Sequence, residues 1–407
     1  MKDLKIFTEN VEQEAINQID LLLDQEPFKD CKVRIMPDVH AGKGCVIGFT
    51  ANLGDKVIPN IVGVDIGCGM LTVELGDDDL DFERFDNIVK RLVPSGYNIH
   101  ESKISQMDEI NNLHCFRDLK DTNKFDRAIG TLGGGNHFIE VDIDEYNNKY
   151  LVIHTGSRNM GKQVAEHYQN LAIELCSGKE EMFLEKEEII KHYKAQGKKK
   201  EIQKAIKELE KQYKNNKPAL PRDLCYLHGK YRDMYLHDMD ICQRYAVKNR
   251  LLIAKSILEN YYGRDFVGDY DEFIKINCFE TIHNYIDMES NIVRKGAISA
   301  KKGEKLLIPI NMRDGCIIGF GKGNLDWNES APHGAGRIMS RMQAKRTFNL
   351  NQFKESMEGI YSTSICKETI DEAPFVYKPM DEIIKNIKDT VEIEKIIKPI
   401  YNFKATQ

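Results

Sequence analysis

The feature that most constrains this chain is a set of five short glycine-rich segments, each placed at the end of an apolar run. The segments are MPDVHAGKG, GVDIGCGM, GTLGGGNHF, VIHTGSRNMGKQ and APHGAGR. Every one of them contains a side chain that can bind a metal ion or a phosphate group. Loops at strand ends carry much of protein function, and glycine lets a backbone approach a ligand closely. The sequence therefore predicts a sheet-based fold in which these loops form the functional site.

Two regions are predicted to supply much of the sheet. Residues 31–75 contain CKVRIM, CVIGFTA and IVGVDIGCGMLTVEL, which are β-rich runs separated by Gly, Pro and Asp. Residues 130–154 contain FIEVDI and YLVIH on either side of a predicted hairpin turn at Asn147 and Asn148. Short strands joined by tight loops are typical of a β-dominated core.

Helices are predicted between and after these strands. Residues 161–175 and 247–261 repeat apolar side chains at helical spacing, and a polar helix is expected over about 381–398. A chain of 407 residues is long enough for two or three domains or for one large unit. We expect a single α+β unit over residues 1–407, with central β-sheets flanked by helices.

Residues 178–222 differ from their surroundings and are predicted to form an inserted basic helical hairpin. Residues 198–200 are a run of lysines, Gly197 is a predicted break, and Pro221 lies near the end of the insertion. A solvated, charged helix face is the favoured interpretation, and an RNA-contacting arm is the alternative.

Charge and cysteine content limit the expected partners and compartment. The chain has 58 basic and 64 acidic residues and a formal net charge of −6, so a polyanion would have to bind at a local basic site. Its ten cysteines are irregularly spaced and its first residues contain no apolar signal region. No run approaches the roughly 18 to 20 apolar residues that span a bilayer. We expect a cytoplasmic protein without a membrane partner.

A mixed group of side chains is able to hold one or two transition-metal ions. Asp65 and Cys68 are three residues apart at one predicted strand end, and His137, His154 and His283 each lie beside a glycine-rich loop or an asparagine. Each histidine or cysteine alone would more often be structural. Together they offer oxygen, sulfur and nitrogen donors, a combination suited to transition metals. The other interpretation, small core residues, is assigned to Cys45, Cys115, Cys176, Cys225, Cys242, Cys278 and Cys366.

Two further segments are able to act on phosphate groups. GSRNMGKQ nearly matches the phosphate-binding P-loop but has Gln163 where a hydroxyl should bind Mg²⁺, which argues against a P-loop ATPase. Arg158 in this loop is either a clamp for phosphate or carboxylate oxygens or a surface salt-bridge partner. His333 and Arg337 in HGAGR are candidates for a nucleophile, base or ligand and for an anion-binding group. Asp38 either orients an imidazole or belongs to a turn.

Seven segments in order carry a resemblance to a known family. They are PDVHAGKGCVIG, VGVDIGCGM, GTLGGGNHFIEV, HTGSRNMG, the pair His283 and Asn284, RKGA at Arg294, and HGAGR at His333. In this order they resemble the RtcB family of RNA-splicing ligases, from about residue 30 to the end of the chain. The family has a GTP- and Mn²⁺-dependent ligase activity that joins a 3′-phosphate or 2′,3′-cyclic phosphate RNA end to a 5′-hydroxyl end. The resemblance thus implies a role in tRNA splicing or RNA repair.

The resemblance also implies roles for individual residues. His333 would carry GMP, with Asp38, Arg158 and Arg337 as the other catalytic candidates. Two Mn²⁺ ions would share Cys68, with Asp65 and His137 completing one ion and His154 and His283 the other. GTP would contact Asn136, His137, Phe138, Ile139, Glu140, His283, Asn284, Pro309, Ile310, Asn311, Met312, Cys316, His333, Gly334, Ala335, Gly336 and Lys404.

Three positions depart from the pattern of the family. The chain has PINMR at residues 309–313 where PGSMG is usual, and Cys316 where serine is common. It also has NMGKQ where GLGHQ is commoner, so Lys162 is expected to alter a phosphate contact. Two rival functions stay open. One is a metal-dependent phosphoesterase that hydrolyses cyclic phosphates, and the other is an RNA-binding scaffold that acts through the lysine-rich hairpin.

Overall fold

The strands of the chain form two main sheets, and the helices pack outside them. The computed structural model describes residues 3–213, 216–263 and 277–405. The strands are β1 Asp3–Ile6, β2 Lys32–His40, β3 Ile47–Asn52, β4 Lys56–Val57, β5 Gly69–Gly76, β6 Phe138–Ile143, β7 Lys149–Thr155, β8 Leu227–His228, β9 Cys278–Ile282, β10 Asn284–Asp287, β11 Ile292–Lys295, β12 Ala297–Ser299, β13 Lys305–Asn311, β14 Gly315–Gly321, β15 Ser330–Pro332 and β16 Val391–Lys404. The α-helices are α1 Gln13–Leu23, α2 Pro59–Val62, α3 Phe82–Leu92, α4 Phe125–Ala128, α5 Arg158–Glu174, α6 Glu180–Ala195, α7 Ile202–Tyr213, α8 Gly229–Tyr262, α9 Arg341–Thr347, α10 Leu350–Ser356 and α11 Met380–Asn386. The predicted α+β class is confirmed.

The larger sheet contains seven strands in the order β13-β14-β16-β6-β7-β5-β9. Every neighbouring pair in it is antiparallel. The two edge strands approach each other, since the Leu307 amide on β13 donates to Thr281 Oγ1 on β9 at 3.1 Å. The sheet is therefore nearly closed, and strands that are distant in sequence lie side by side.

Side-chain alternation gives the larger sheet two buried faces. Ile139 and Val141 of β6 pack into a core cluster with Phe85 of α3 and Ile257 of α8. Phe138 of the same strand belongs to a different cluster on the other face. Both faces are apolar and covered, so polar groups that point into either face need partners inside the protein.

A second sheet has five strands in the order β1-β2-β3-β11-β10, and two short pairs, β12-β15 and β4-β8, accompany it. The connection from β9 to β10 crosses from the large sheet to this one through His283. The β12-β15 pair leads directly to His333. The junction between the two sheets is therefore where these histidines emerge.

Local predictions between these strands are confirmed. Asn147 has a φ of +69° in the turn between β6 and β7, a conformation that asparagine tolerates better than most residues. The helix expected over 161–175 is α5, and the helix expected over 247–261 is the second half of α8.

The inserted hairpin is also present. Helices α6 and α7 pair in opposite directions, because Tyr213 donates to Glu185 and Lys186 bonds Glu210. Gly197 breaks the helix with a φ of +74°, and residues 198–200 are exposed. These facts describe a charged, solvated hairpin and leave its contact with RNA as a prediction.

The helix predicted over 381–398 is wrong. Only Met380–Asn386 is helical, and Val391–Lys404 is the long strand β16 between β14 and β6. Sheet pairing on both sides decides the conformation here, because it satisfies the backbone groups of a segment whose local pattern is ambiguous.

All ten cysteines are free thiols. Of the seven interpreted as core residues, four are buried and three are half-buried. Within the described residues, no helix combines the length and apolar character needed to cross a bilayer.

We predict that deleting residues 402–407 destabilises the whole fold. The deletion removes Phe403 from the core and the end of β16 from the middle of the sheet. Loss of one buried Phe typically costs about 3 to 5 kcal/mol, so the free energy of unfolding in urea should fall by at least about 3 kcal/mol. A chain ending at Ala405 keeps these contacts and is the control. Equal stability of the two truncated chains would contradict the central position of β16.

Candidate active site and metal centre

Antiparallel pairing brings four candidate ligands together at one end of the strands of the large sheet. His137 immediately precedes β6, His154 lies near the end of β7, Cys68 immediately precedes β5 and His283 follows β9. The start of one antiparallel strand lies beside the end of its neighbour. In the observed register Phe138 pairs with His154, and Gly69 pairs with Ile282. The four side chains therefore meet although the sequence separates them widely.

The donor atoms form two groups that share one sulfur. Cys68, His154 and His283 make one group, and Asp65, Cys68 and His137 make the other, with donor atoms within 4.8 Å of one another in each. Cys68 Sγ lies 3.5 Å from His137 Nε2 and 3.3 Å from His154 Nε2. These two groups contain the five side chains that the resemblance assigns to two ions, and their binding of metal stays a prediction.

Backbone carbonyls fix the orientation of two of the histidines. His137 Nδ1 lies 2.9 Å from the Leu132 carbonyl, and His154 Nδ1 lies 3.2 Å from the Asn136 carbonyl. A carbonyl only accepts, so each Nδ1 carries the proton and each Nε2 presents a lone pair. Such a second hydrogen bond is what orients metal-binding imidazoles in proteins.

The lone pairs face other acceptors at short range. His137 Nε2 lies 2.9 Å from Asp65 Oδ2, and His154 Nε2 lies 3.4 Å from His283 Nε2. Two facing acceptors need a proton or a cation between them. The mixed oxygen, nitrogen and sulfur donors are suitable for divalent transition metals. The residues present therefore fit a metal centre.

Burial and charge set the protonation of these groups. Burial, with the charge of neighbouring histidines, holds the pKa of His154 and of His283 well below the usual value, so both rings are neutral. Burial opposes ionisation of Asp65, but the hydrogen bond and charge of His137, when its Nε2 also carries a proton, lower the pKa of Asp65 to about 2, and a bound metal ion would take the place of that proton. Burial and the charge of Asp65 raise the pKa of the Cys68 thiol. A bound divalent ion would displace that thiol proton.

His333 faces these donor groups from the segment after β15 and is oriented by Asp38 of β2. The His333 and His283 rings have their centroids 4.8 Å apart. His333 Nδ1 lies 2.6 Å from Asp38 Oδ2, and the same oxygen accepts from the His333 amide at 3.1 Å. Asp38 is fully buried, whereas the His333 side chain is 18% exposed. Nδ1 therefore carries the proton, and the lone pair of Nε2 is left unprotonated.

Gly336 allows this approach of the two segments. Its φ is +76°, and a Cβ atom there would overlap the Asp38 backbone. Any other residue would push HGAGR away from β2. The glycines that the sequence analysis noticed around His333 thus have a steric role.

A cavity of about 320 Å³ opens beside these groups. Of the predicted residues, those lining it are Asp65, Cys68, Asn136, Phe138, Glu140, His154, His283, Asn284, Pro309, Ile310, Asn311, Met312, His333, Gly334, Ala335, Gly336, Arg337 and Lys404. Ile139 points to the helix-covered face of β6, and Cys316 lies buried behind Glu140. The volume suits a small ligand such as a nucleotide.

Arg158 lies at the edge of the metal centre. Its φ is +57°, a backbone conformation uncommon for residues other than glycine, and its Nε donates to Thr131 Oγ1 at 3.3 Å. Its Nη1 is 3.4 Å from His137 Nδ1, farther than the Leu132 carbonyl. Lys162, by contrast, is 58% exposed and lies near Glu166. The guanidinium, rather than the lysine, is placed to meet an anion.

Glu372 is a residue of the cavity that the sequence analysis missed. Its side chain is 3% exposed and contacts Lys404 Nζ at 2.6 Å, Arg341 Nη1 at 2.7 Å and Arg337 Nη1 at 3.5 Å. Tyr377 donates to the same carboxylate at 2.8 Å. Burial opposes ionisation, yet the charges of Lys404 and Arg341 lower the pKa of Glu372 to about 2.

The three cations face two carboxylates, since Arg341 also pairs with Asp371 at 2.7 Å, so these five groups together carry a net positive charge. Such a surplus attracts polyphosphate. The sequence did not predict that Glu372 lines the cavity, because its segment DEAPFVYK lacks the glycine-rich pattern of the other site segments. His40, Tyr377, Arg341 and Asn402 also line the cavity.

A family profile and several known proteins match nearly the whole chain. A profile of the family described as tRNA-splicing ligase RtcB matches residues 23–405. The chain is 29% identical to the RNA-splicing ligase RtcB of Escherichia coli K12, over 96% of this chain and 94% of that protein. It is 25% identical to the tRNA-splicing ligase RtcB of Nanoarchaeum equitans over 89% of this chain and 85% of the relative. It is 27% identical to the tRNA-splicing ligase RtcB of Archaeoglobus fulgidus, over 86% of this chain and 82% of that protein. The matched range contains every residue of the cavity named above.

We predict that Cys68→Ala binds divalent ions at least about tenfold more weakly than the native protein, because the sulfur is the donor common to both groups. Metal content after loading and dialysis, measured by elemental analysis, checks this. Cys278→Ala, a half-buried thiol on β9 outside both groups, is the matched control. Unchanged metal content in Cys68→Ala would rule out a shared thiolate.

Proposed function

The chain belongs to the tRNA-splicing ligase RtcB family of RNA ligases, and we propose that it joins RNA ends through GMP carried on His333. The substrates in this proposal are a 3′-phosphate or 2′,3′-cyclic phosphate end and a 5′-hydroxyl end, with GTP as the source of GMP. We further propose that the reaction takes place in the cytoplasm. One observation carries the proposal: an imidazole oriented by a buried carboxylate lies beside His283 and lines the same cavity as Asp65, Cys68 and His154.

The His333 and Asp38 pair supports nucleophilic attack without prior loss of a proton. Nδ1–H is held by Asp38, so the Nε2 lone pair attacks the α-phosphorus of GTP. A phosphorus–nitrogen bond forms, the bond to the β-phosphate oxygen breaks, and pyrophosphate leaves. The imidazole becomes positively charged in this step, and the Asp38 carboxylate stabilises that charge.

The second half of the reaction uses His333 as a leaving group. An oxygen of the RNA 3′-phosphate attacks the GMP phosphorus, and the imidazole is released. The 5′-hydroxyl oxygen then attacks the activated phosphate, a phosphodiester forms, the hydroxyl proton passes to solvent and GMP leaves. A cyclic phosphate must first be opened by water to the 3′-phosphate.

The proposed ligand set is Asp65, Cys68 and His137 for one ion and Cys68, His154 and His283 for the other. When bound, two divalent ions would supply positive charge that neutralises the phosphate oxygens during both transfers. The choice of Mn²⁺ rests on the resemblance to the family alone, since Zn²⁺ generally binds such donors more tightly.

The nucleotide in this proposal lies between the metal centre and the cationic wall. Arg337, Arg341 and Lys404 line the cavity and offer donors to its oxygens, and Arg158, which lies 3.4 Å from His137 outside the cavity lining, is proposed to meet a phosphate from that side. Glu140 and Asn136 belong to the same cavity. Pocket residues of both charges suit a ligand with an anionic tail and a polar base.

The rival phosphoesterase would need the metal centre but not a nucleophilic histidine. A scaffold that binds RNA through the hairpin would leave the oriented His333, the metal donors and the cavity without a role. The geometry at His333 is what favours the ligase over both.

Incubation with radiolabelled GTP and Mn²⁺ in the absence of RNA is expected to leave label on the protein. The bond should be acid-labile and alkali-stable, as a phosphoramidate is, and His333→Ala should abolish it while metal content is retained. Asp38→Asn should slow its formation on the order of 100-fold, because it weakens orientation and charge stabilisation of the imidazole. Addition of RNA with the two proposed ends should discharge the label and yield joined product. Opening of cyclic phosphate without any adduct would favour the phosphoesterase instead.

Lys404→Met is expected to raise the KM for GTP about tenfold, because a charged donor to the nucleotide is lost from the cavity wall. Lys398→Met is the matched control, since Lys398 is an exposed lysine on the same strand. Adduct formation measured against GTP concentration separates the two variants. An unchanged KM in Lys404→Met would remove this residue from the nucleotide site.

A further inference from the structure

Behind Glu140 lies a second carboxyl group, Asp142, that the reaction above does not use. Glu140 and Asp142 are two residues apart on β6 and therefore point to the same face of the sheet. Asp142 is fully buried. Neither of its oxygens has a hydrogen-bond donor among the described residues. Donor atoms of Glu140, Asp142 and Cys316 lie within 4.8 Å of one another.

The two carboxyl groups have unequal surroundings. Asn402 Nδ2 donates to Glu140 Oε2 at 2.5 Å, whereas the Cys316 thiol, 3.9 Å from Glu140 Oε1, lies close to both carboxyl groups. The charge of Lys404 on β16 also favours ionised Glu140. Asp142 pairs in register with Pro399 of β16, which has no N–H, and with Tyr150 of β7, whose hydroxyl donates to Asp144. Apolar side chains on this face include Val152, Leu307, Ile318 and Ile397, and the polar ones include Lys395 and the buried Thr72, whose hydroxyl has no partner among the described residues.

Two carboxylates this close in an apolar wall cannot both ionise, so the pair holds one proton. The donors around Glu140 favour its carboxylate form, and Asp142 is left as the neutral acid. Burial and the charge of Glu140 raise the pKa of Asp142 well above the usual value, while burial raises that of Glu140 to about 6. The Asp142 proton then supplies the donor that its own oxygens otherwise lack.

We propose that Asp142 is a positioning residue that, as a neutral acid, donates to Glu140 and keeps it an anionic acceptor for the nucleobase. Glu140 lines the cavity, and a carboxylate accepts from two adjacent N–H donors. Guanine presents such a pair on its base-pairing edge, whereas adenine presents one donor beside an acceptor. Asp142 would thus set the preference for GTP over ATP from a position that touches neither. This inference rests on the proposed use of GTP.

The first test compares two substitutions of Asp142 in the full-length protein. Asp142→Val removes the donor and should raise the KM for GTP about tenfold with little change in kcat of adduct formation. Asp142→Asn has an amide that can donate to Glu140, and it should recover most of the loss. Equal loss in both variants, or no loss in either, would overturn the proposal. Thermal unfolding of both variants shows whether they fold.

The pH dependence gives a readout that a purely structural role would not move. Protonation of Glu140 removes the acceptor, so the KM for GTP in the native protein should rise as pH falls through about 6. In Asp142→Val the donor that favours ionised Glu140 is absent, and this rise should begin at higher pH. In Asp142→Asn the KM for GTP should begin to rise at about the same pH as in the native protein. An acid limb at the same pH in all three proteins would contradict the role of Asp142.

A second measurement is independent of the nucleotide. Infrared difference spectra between the native protein and Asp142→Asn at neutral pH should contain the carbonyl stretch of one un-ionised carboxylic acid. Absence of that band would show that Asp142 is ionised and would contradict the proposed role of Asp142. If the native protein forms no adduct with GTP but the band is present, the proposed function fails while the assignment of the proton stands.

Discussion

The site depends on antiparallel pairing in the seven-stranded sheet. In an antiparallel sheet the start of one strand lies beside the end of the next strand. The candidate ligands are neighbours for this reason: they lie before β6 (His137), near the end of β7 (His154), before β5 (Cys68) and after β9 (His283). A slip of one residue would turn His154 to the opposite face of the sheet, away from Cys68. Apolar clusters on both faces hold the register, and the metal centre is therefore a consequence of how the core packs.

The proposed nucleophile reaches these candidate metal ligands from a different part of the fold. His333 follows β15, and Asp38 belongs to β2 of the five-stranded sheet. The distance between the His333 and His283 rings is consequently set by how the two sheets pack, with Gly336 allowing the backbones to approach. This division places ligands on one rigid element and the nucleophile on another.

Buried charges around the cavity are compensated in unequal ways, and this inequality has chemical consequences. Glu372 has three cations and a tyrosine, so it stays ionised and holds those cations in place. No donor among the described residues bonds Asp142, and a buried carboxyl group this close to Glu140 takes up a proton. Buried ion pairs are weak evidence for stability, since desolvation offsets their attraction. Their value here is that they orient groups that face a ligand.

The sequence by itself determined the α+β class, the turn at Asn147, helix α5 and the identity of the five ligand candidates, because glycine, alternation and helical spacing act locally. It also placed Asp38 and His333 as candidates, although not their contact. Only the tertiary structure decided that Cys68 lies between two donor groups and that Glu372 gathers the cations of the cavity. It also decided that residues 391–404 form a strand, where the sequence pattern had favoured a helix. Contacts between residues that are far apart in the sequence leave no local pattern. For residues 391–404, hydrogen bonds to β14 and β6 outweigh the weak local preference for a helix.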